Sequence, residues 1–217
     1  MADIFHEVDE DIRRERLKKL WDRFGPYVIG LALLIVVGIG GWRGYEYWQT
    51  RRAAEDSARF EAALVLADAG KHAEAEAAFA KVAETAGTAT YRTMARLRQA
   101  AALTQSDPKS AIAIFDSVAA DTSVGGSFQD LAALRAGFIL VDTASFDDMK
   151  QRLEPLTGPQ RAFRHSAREL LALSAWRAGN MADAKRWSDL IINDAESPAG
   201  MRQRMEALLA LTSEAKG

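Results

Sequence analysis

Two histidine–glutamate pairs, His72 with Glu76 and His165 with Glu169, stand four residues apart. That spacing places both side chains on one face of a helix. An imidazole beside a carboxylate is half of a ligand set for a divalent metal, and it is equally an ordinary surface pair along a helix. The chain has three histidines and no cysteine, so thiol catalysis, disulfides and thiolate metal sites are excluded. Gly125-Gly126-Ser127 lacks the lysine of a phosphate-binding loop and reads as a turn. Asp147-Asp148 falls at an expected helix start, where the helix dipole accounts for paired acids. There is no Gly-x-Ser-x-Gly elbow to expose a nucleophilic serine. These residues predict a protein that is not an enzyme, with no metal, no cofactor and no small-molecule substrate.

The elements that would position such residues are helices. Alanine is abundant, proline is limited to 5 residues, and β-branched runs are absent outside one apolar stretch. Helices are expected near 51–69, 72–86, 89–105, 108–120, 127–142, 146–154, 159–178, 181–195 and 198–214. Gly70, Gly87, Gly125-Gly126, Gly158-Pro159 and Gly179-Asn180 punctuate them. Asp107-Pro108 and Ser197-Pro198 each read as an N-cap followed by a first-turn proline. With 28 Lys and Arg against 30 Asp and Glu, no basic stripe is available, so a nucleic-acid partner is not expected.

The breaks recur. Gly70, Ser106, Ala144 and Gly179 precede a second helix at intervals of 36, 38 and 35 residues. Five residues further on come Ala75, Ala111, Met149 and Ala184, then Phe79, Phe115 and Leu153, with Ser188 failing the pattern beside Trp187. Val82, Val118, Leu156 and Ile191 follow. Small, large and medium residues at i, i+4 and i+7 form one buried helix face. Ala63, Gly137 and Ala172 mark a close crossing in the first helices, and Gln99 breaks that rule. This is the degenerate helix-turn-helix pattern of a tetratricopeptide repeat.

One stretch differs from all this. Phe24 to Trp42 carries no charge, and its nineteen residues would rise about 28 Å as a helix, close to the ~30 Å hydrocarbon thickness of a bilayer. Leu33, Leu34, Ile35 and Val36 lie at its centre, with Trp21 and Tyr27 at one end and Trp42 at the other. Aromatic rings at both ends are the expected interfacial belt. Gly40 and Gly44 form a small-xxx-small pair. Arg13, Arg14, Arg16, Lys18, Lys19 and Arg23 precede the span, against Arg43, Arg51 and Arg52 after it. The positive-inside bias therefore puts the N-terminus in the cytoplasm. A cleaved signal peptide is the competing reading, but the apolar run is longer than an h-region.

The expected fold is all-α: a charged amphipathic leader over 1–23, a transmembrane helix over 24–42, and a tetratricopeptide-like solenoid over 43–217 with about four helix pairs and a capping helix. In the leader, Ile4, Phe5, Val8 and Ile12 recur at helical spacing.

The leader Asp3-Ile4-Phe5, Glu7-Val8-Asp9 and Arg13 to Trp21, followed by Gly41-Trp42-Arg43-Gly44-Tyr45 and Trp48-Gln49, resembles the YfgM-like proteins, a family ancillary to the bacterial SecYEG translocon. The resemblance implies a single-pass protein of the bacterial cell inner membrane. Its periplasmic domain would bind the translocon, periplasmic chaperones or exported polypeptides. It supplies no catalytic motif and no binding residues.

Those residues are read from the repeat register instead. Stacked helix pairs leave a concave face lined by their first helices. The register projects Phe60, Leu64, Arg96, Phe138, Asp142, Glu169, Trp176 and Arg177 toward it. Phe60, Phe138 and Trp176 serve equally well as core between repeats. Two functions fit: a membrane-tethered protein-binding module at the secretion machinery, or a structural scaffold in envelope assembly or cell division.

Overall fold

The computed structural model describes the backbone of residues 3–214 and the side chains of residues 18–211, apart from 19 and 32. Among the described residues all regular structure is helical. The elements are α1 (Asp3–Asp68), α2 (His72–Thr85), α3 (Ala89–Leu103), α4 (Pro108–Ala119), α5 (Gly126–Leu140), α6 (Phe146–Leu153), a 3-10 turn (Glu154–Leu156), α7 (Arg164–Arg177), α8 (Met181–Ile192) and α9 (Ala199–Glu214). They fall into two units, Met1–Ala53 and Ala54–Gly217.

Among the described residues the first unit is helix alone. The apolar stripe expected of Ile4, Phe5, Val8 and Ile12 lies outside the described side chains. From Trp21 onward the large apolar residues are exposed, including Tyr27, Leu33, Leu34, Ile35, Val36 and Trp42. A helix that shows apolar residues on every side belongs in an apolar surrounding, and this one is long and apolar enough to cross a bilayer.

The second unit stacks helix pairs. Contacts run between α2 and α3, α3 and α4, α4 and α5, and onward to α8 with α9. Local chemistry sets each boundary. Gly70 and Gly179 adopt φ of +74° and +75°, where a side chain would be strained. Each closes a Schellman motif: Lys71 N–H donates to the Leu66 carbonyl and Asn180 N–H to that of Ala175, at 3.0 and 2.9 Å. The side chains of Asp107, Ser145 and Asn180 accept the N–H groups of Ser110, Asp148 and Asp183 and start α4, α6 and α8.

The second-helix faces are the core. Ala75, Ala111, Met149 and Ala184 are fully buried, and Phe79, Phe115 and Leu153 one turn on and Val82, Val118, Leu156 and Ile191 beyond are buried with them. Ser188, expected to break the series, is itself buried, and its hydroxyl reaches Met205 Sδ on α9 at 3.7 Å. Trp187 is buried beside it, so the fourth pair keeps the register with a smaller residue and packs its bulk one position earlier. The close crossing is plainest at Gly137. A Cβ there would sit 3.1 Å from both terminal carbons of Leu153 and 3.4 Å from Leu170.

Several boundaries differ from expectation: α8 ends at Ile192, three residues early, and α3 at Leu103, two early. Helix α7 begins at Arg164 rather than near 159, because residues 158–163 form successive turns. Helix α5 ends at Leu140, two residues early. Ser197 does not cap α9: its hydroxyl is buried without a partner, and the first α9 N–H bonds run instead from Met201 and Arg202 to the Pro198 carbonyl.

Candidate protein-binding groove

Neither histidine pair forms. Glu76 accepts from Gln99 on α3 at 2.8 Å, and His165 turns to Asp194 at 2.9 Å, leaving Glu169 to a two-pronged bond from Arg204 at 2.7 and 3.1 Å. In each case a partner from another helix outcompetes the neighbour four residues away. Among the described residues no cluster of three His, Asp or Glu side chains could hold a metal. Gln99, which breaks the small-residue rule at the crossing, thereby ties α3 to α2 with a side-chain hydrogen bond.

The register residues separate into three groups. Phe60 and Leu64 are half-buried and packed. Phe60 lies 5.4 Å from the ring of Phe79 and 5.8 Å from that of Tyr91, and Leu64 joins the cluster around Ala63 and Phe79. Arg96, Glu169 and Arg177 are engaged in joining helices. Arg96 bonds Asp121 at 3.0 Å and Ser117 at 2.9 Å, while Arg177 donates to the carbonyls of Val141 and Ala144 behind α5. Phe138, Asp142 and Trp176 are exposed, Phe138 by 50% and Trp176 by 39%.

Arg96 thus faces α4, not a free surface, which corrects its placement by register. Two residues along a helix turn the side chain by about 200°, and Arg98 takes the open side. There a groove of about 390 Å³ is lined by Phe60, Met94, Leu97, Arg98 and Ala101, by Phe115 beneath, and by Phe128, Leu131 and Arg135. The first helices α1, α3 and α5 supply nearly all of it. Its floor is apolar and aromatic, and its two charged residues, Arg98 and Arg135, are both exposed.

A second groove, of about 730 Å³, lies over α4, α5 and α6. Its two arginines are already paired within it, Arg152 with Asp116 and Arg161 with Asp130 at 3.2 Å, and its third carboxylate, Asp148, accepts from the Ser145 hydroxyl.

The strongest electrostatic feature is structural. Asp194, just past α8, accepts from Arg164, His165 and Arg168 at 3.3, 2.9 and 3.1 Å. The bond from His165, then the N–H of Glu196 and the guanidinium of Arg164, hold its carboxyl far below the usual range against the cost of desolvation. Arg168 is buried and also donates to the Thr157 and Leu190 carbonyls. It stitches α7 to the 3-10 turn and to α8. No local pattern signals this hub, because Asp194 lies 26 to 30 residues from the three side chains that it accepts from.

A stack of helix pairs with an open apolar groove on its first-helix side is an architecture suited to protein–protein interaction. The tetratricopeptide repeat-like domain family matches residues 18–196, and the chain belongs to that family. The match begins ahead of the apolar run and stops before α9. Searches of curated proteins and of solved structures found no match.

Proposed function

We propose that the protein is a single-pass protein of the bacterial inner membrane whose helix-pair domain binds other polypeptides in the periplasm, at or near the Sec translocon and its chaperones. The groove from Phe60 to Arg135 supports the binding role: it is an apolar cleft of about 390 Å³ on the first-helix side, the side stacked helix pairs offer to partners. Charge asymmetry around the apolar span supports the orientation, and the leader's resemblance to the YfgM-like proteins supports the location. Tethering would raise the effective concentration of the groove near other membrane complexes, so that individually weak contacts suffice. No catalytic step is part of this reading.

A photo-crosslinking amino acid at Phe128 or Met94, activated in living cells, tests it. Translocon subunits, chaperones or exported chains in the adducts are the expected result. Adducts confined to a second copy or to cell-wall enzymes would favour the envelope scaffold instead. Protease added to spheroplasts should digest the helix-pair domain and spare the leader. A domain protected until the membrane is broken would overturn the orientation.

A further inference from the structure

We propose that the groove selects polypeptide segments in which aspartate or glutamate flanks an apolar anchor. The inference rests on the groove being a protein-binding site and adds what it chooses. The second unit has thirteen arginines over residues 54–217. Eleven have a partner within the domain: Arg59, Arg96, Arg152, Arg161, Arg164, Arg168, Arg186 and Arg204 pair with carboxylates, while Arg92, Arg177 and Arg202 donate to backbone carbonyls. Among the described residues the two without a partner are Arg98 and Arg135, and both line this groove, from α3 and α5 respectively.

The juxtaposition has a physical reading. Every other guanidinium in the domain already has a carboxylate or carbonyl partner, so two exposed and unpaired ones beside one apolar cleft stand apart. No carboxylate lines that cleft, so its field is positive, and an acidic occupant would supply the missing charge. Guanidinium forks bind carboxylates in two-pronged fashion and stack on aromatic faces, and Phe60 and Phe128 offer such faces nearby. The floor of Leu97, Phe128 and Leu131 would take an aliphatic or aromatic side chain, with the unbranched thioether of Met94 adapting to its shape. The larger groove over α4 to α6 has no such bias, because its arginines are paired with Asp116 and Asp130.

The test uses the full chain in detergent and three fluorescein-labelled twelve-residue peptides of one Leu/Phe pattern. The first carries Asp and Glu between the apolar residues, the second Asn and Gln, the third Lys. The acidic peptide is expected to bind roughly tenfold or more tighter than the amide peptide, the factor that charge-assisted bonds of this kind supply. The Arg98→Gln/Arg135→Gln double variant should lose that preference, and Arg98→Glu/Arg135→Glu should transfer it to the lysine peptide. Both positions are exposed, so unchanged circular-dichroism melts are the control for folding. Equal binding of all three peptides, unaltered in the double variants, overturns the charge selection while the groove stands as a protein site. Failure of every peptide to bind removes the protein site as well. Preference for anionic phospholipid vesicles over the acidic peptide overturns the proposal in favour of a lipid occupant.

Discussion

Asp56 of α1 accepts two hydrogen bonds from Thr88, one from its backbone N–H at 3.0 Å and one from its hydroxyl at 2.9 Å. Thr88 is the residue from which α3 starts, so a carboxylate buried to 3% exposure holds the entry to the second helix pair against the end of the long helix. Burial by itself would raise the acid's pKa; the hydroxyl and N–H of Thr88, the N–H of Gly87 and the charge of Arg59 outweigh it and set it below the ordinary value. Asp56→Ala leaves the Thr88 donors without their acceptor and is expected to cost about 1–3 kcal/mol. Asp56→Asn, which keeps one acceptor oxygen, should cost less. A carboxylate with a lowered folded pKa stabilises above its unfolded value of about 3.9 and loses that contribution as pH falls toward the folded value. The gap between the protein and its Asn variant should therefore hold from pH 7 to about 4 and narrow below. Urea unfolding at stepped pH reads it.

The Asp194 hub should respond to pH in the same sense and more strongly, because its carboxyl is lowered further. Asp194→Asn removes the charge that Arg164, His165 and Arg168 all face. The variant is expected to melt at a lower temperature at pH 7, because the buried Arg168 is left without its counter-charge. The deficit should persist down to about pH 4 and shrink only in stronger acid, where unfolded aspartate protonates near 3.9. No deficit at pH 7, or one that stayed unchanged as pH fell below 4, would mean that Asp194 titrates as it does in the unfolded chain and that its charge holds nothing together.

Gly137 separates packing from helix propensity. Valine there would press its branch on Leu153, already 3.1 Å from the first added carbon and fully buried. Overpacking of this kind costs about 1–3 kcal/mol, and at roughly 2–4 °C per kcal/mol for a domain of this size the melt should fall by several degrees. Alanine adds the close Cβ contact alone, and its gain of about 1 kcal/mol in helix propensity offsets a similar strain. Gly137→Ala should stay within about 1 kcal/mol of the parent in a thermal melt. Equal loss in both variants would show that the tightness at the Cβ dominates.

What the chain discloses in advance is what repeats locally. Ala75, Phe79 and Val82, with their counterparts in the next pairs, are legible because a buried helix face has a fixed period of three and four residues. Gly70 and Gly179 are legible because a left-handed turn favours glycine. The rotation of each first helix is not, since it depends on how neighbouring pairs cross; hence Arg98 lines the groove where the register projects Arg96. The partners of Glu76 and His165 are hidden for a related reason. Gln99 and Asp194 reach them from 23 and 29 residues away, and nothing in a four-residue spacing records a competitor so distant.

The apolar span can be tested apart from the domain that follows it. Between Phe24 and Trp42 ten residues are Leu, Ile, Val or Phe, each worth about −0.3 to −0.6 kcal/mol on the insertion scale at a helix centre, so together roughly −3 to −6 kcal/mol. One arginine at mid-span costs about 2.5–3.5 kcal/mol on the same scale, and two about cancel the whole drive. Leu34→Arg/Val37→Arg should therefore leave much of the chain in the supernatant after a carbonate wash, while the unaltered chain pellets with membranes. Val65→Arg is the matched control: Val65 is 67% exposed but lies in the second unit, 23 residues past Trp42 in the chain, and should not change the partition. Release by Val65→Arg as well would show that arginine frees the chain by unfolding it, and retention of the double variant would show that something other than this span holds the protein to the bilayer.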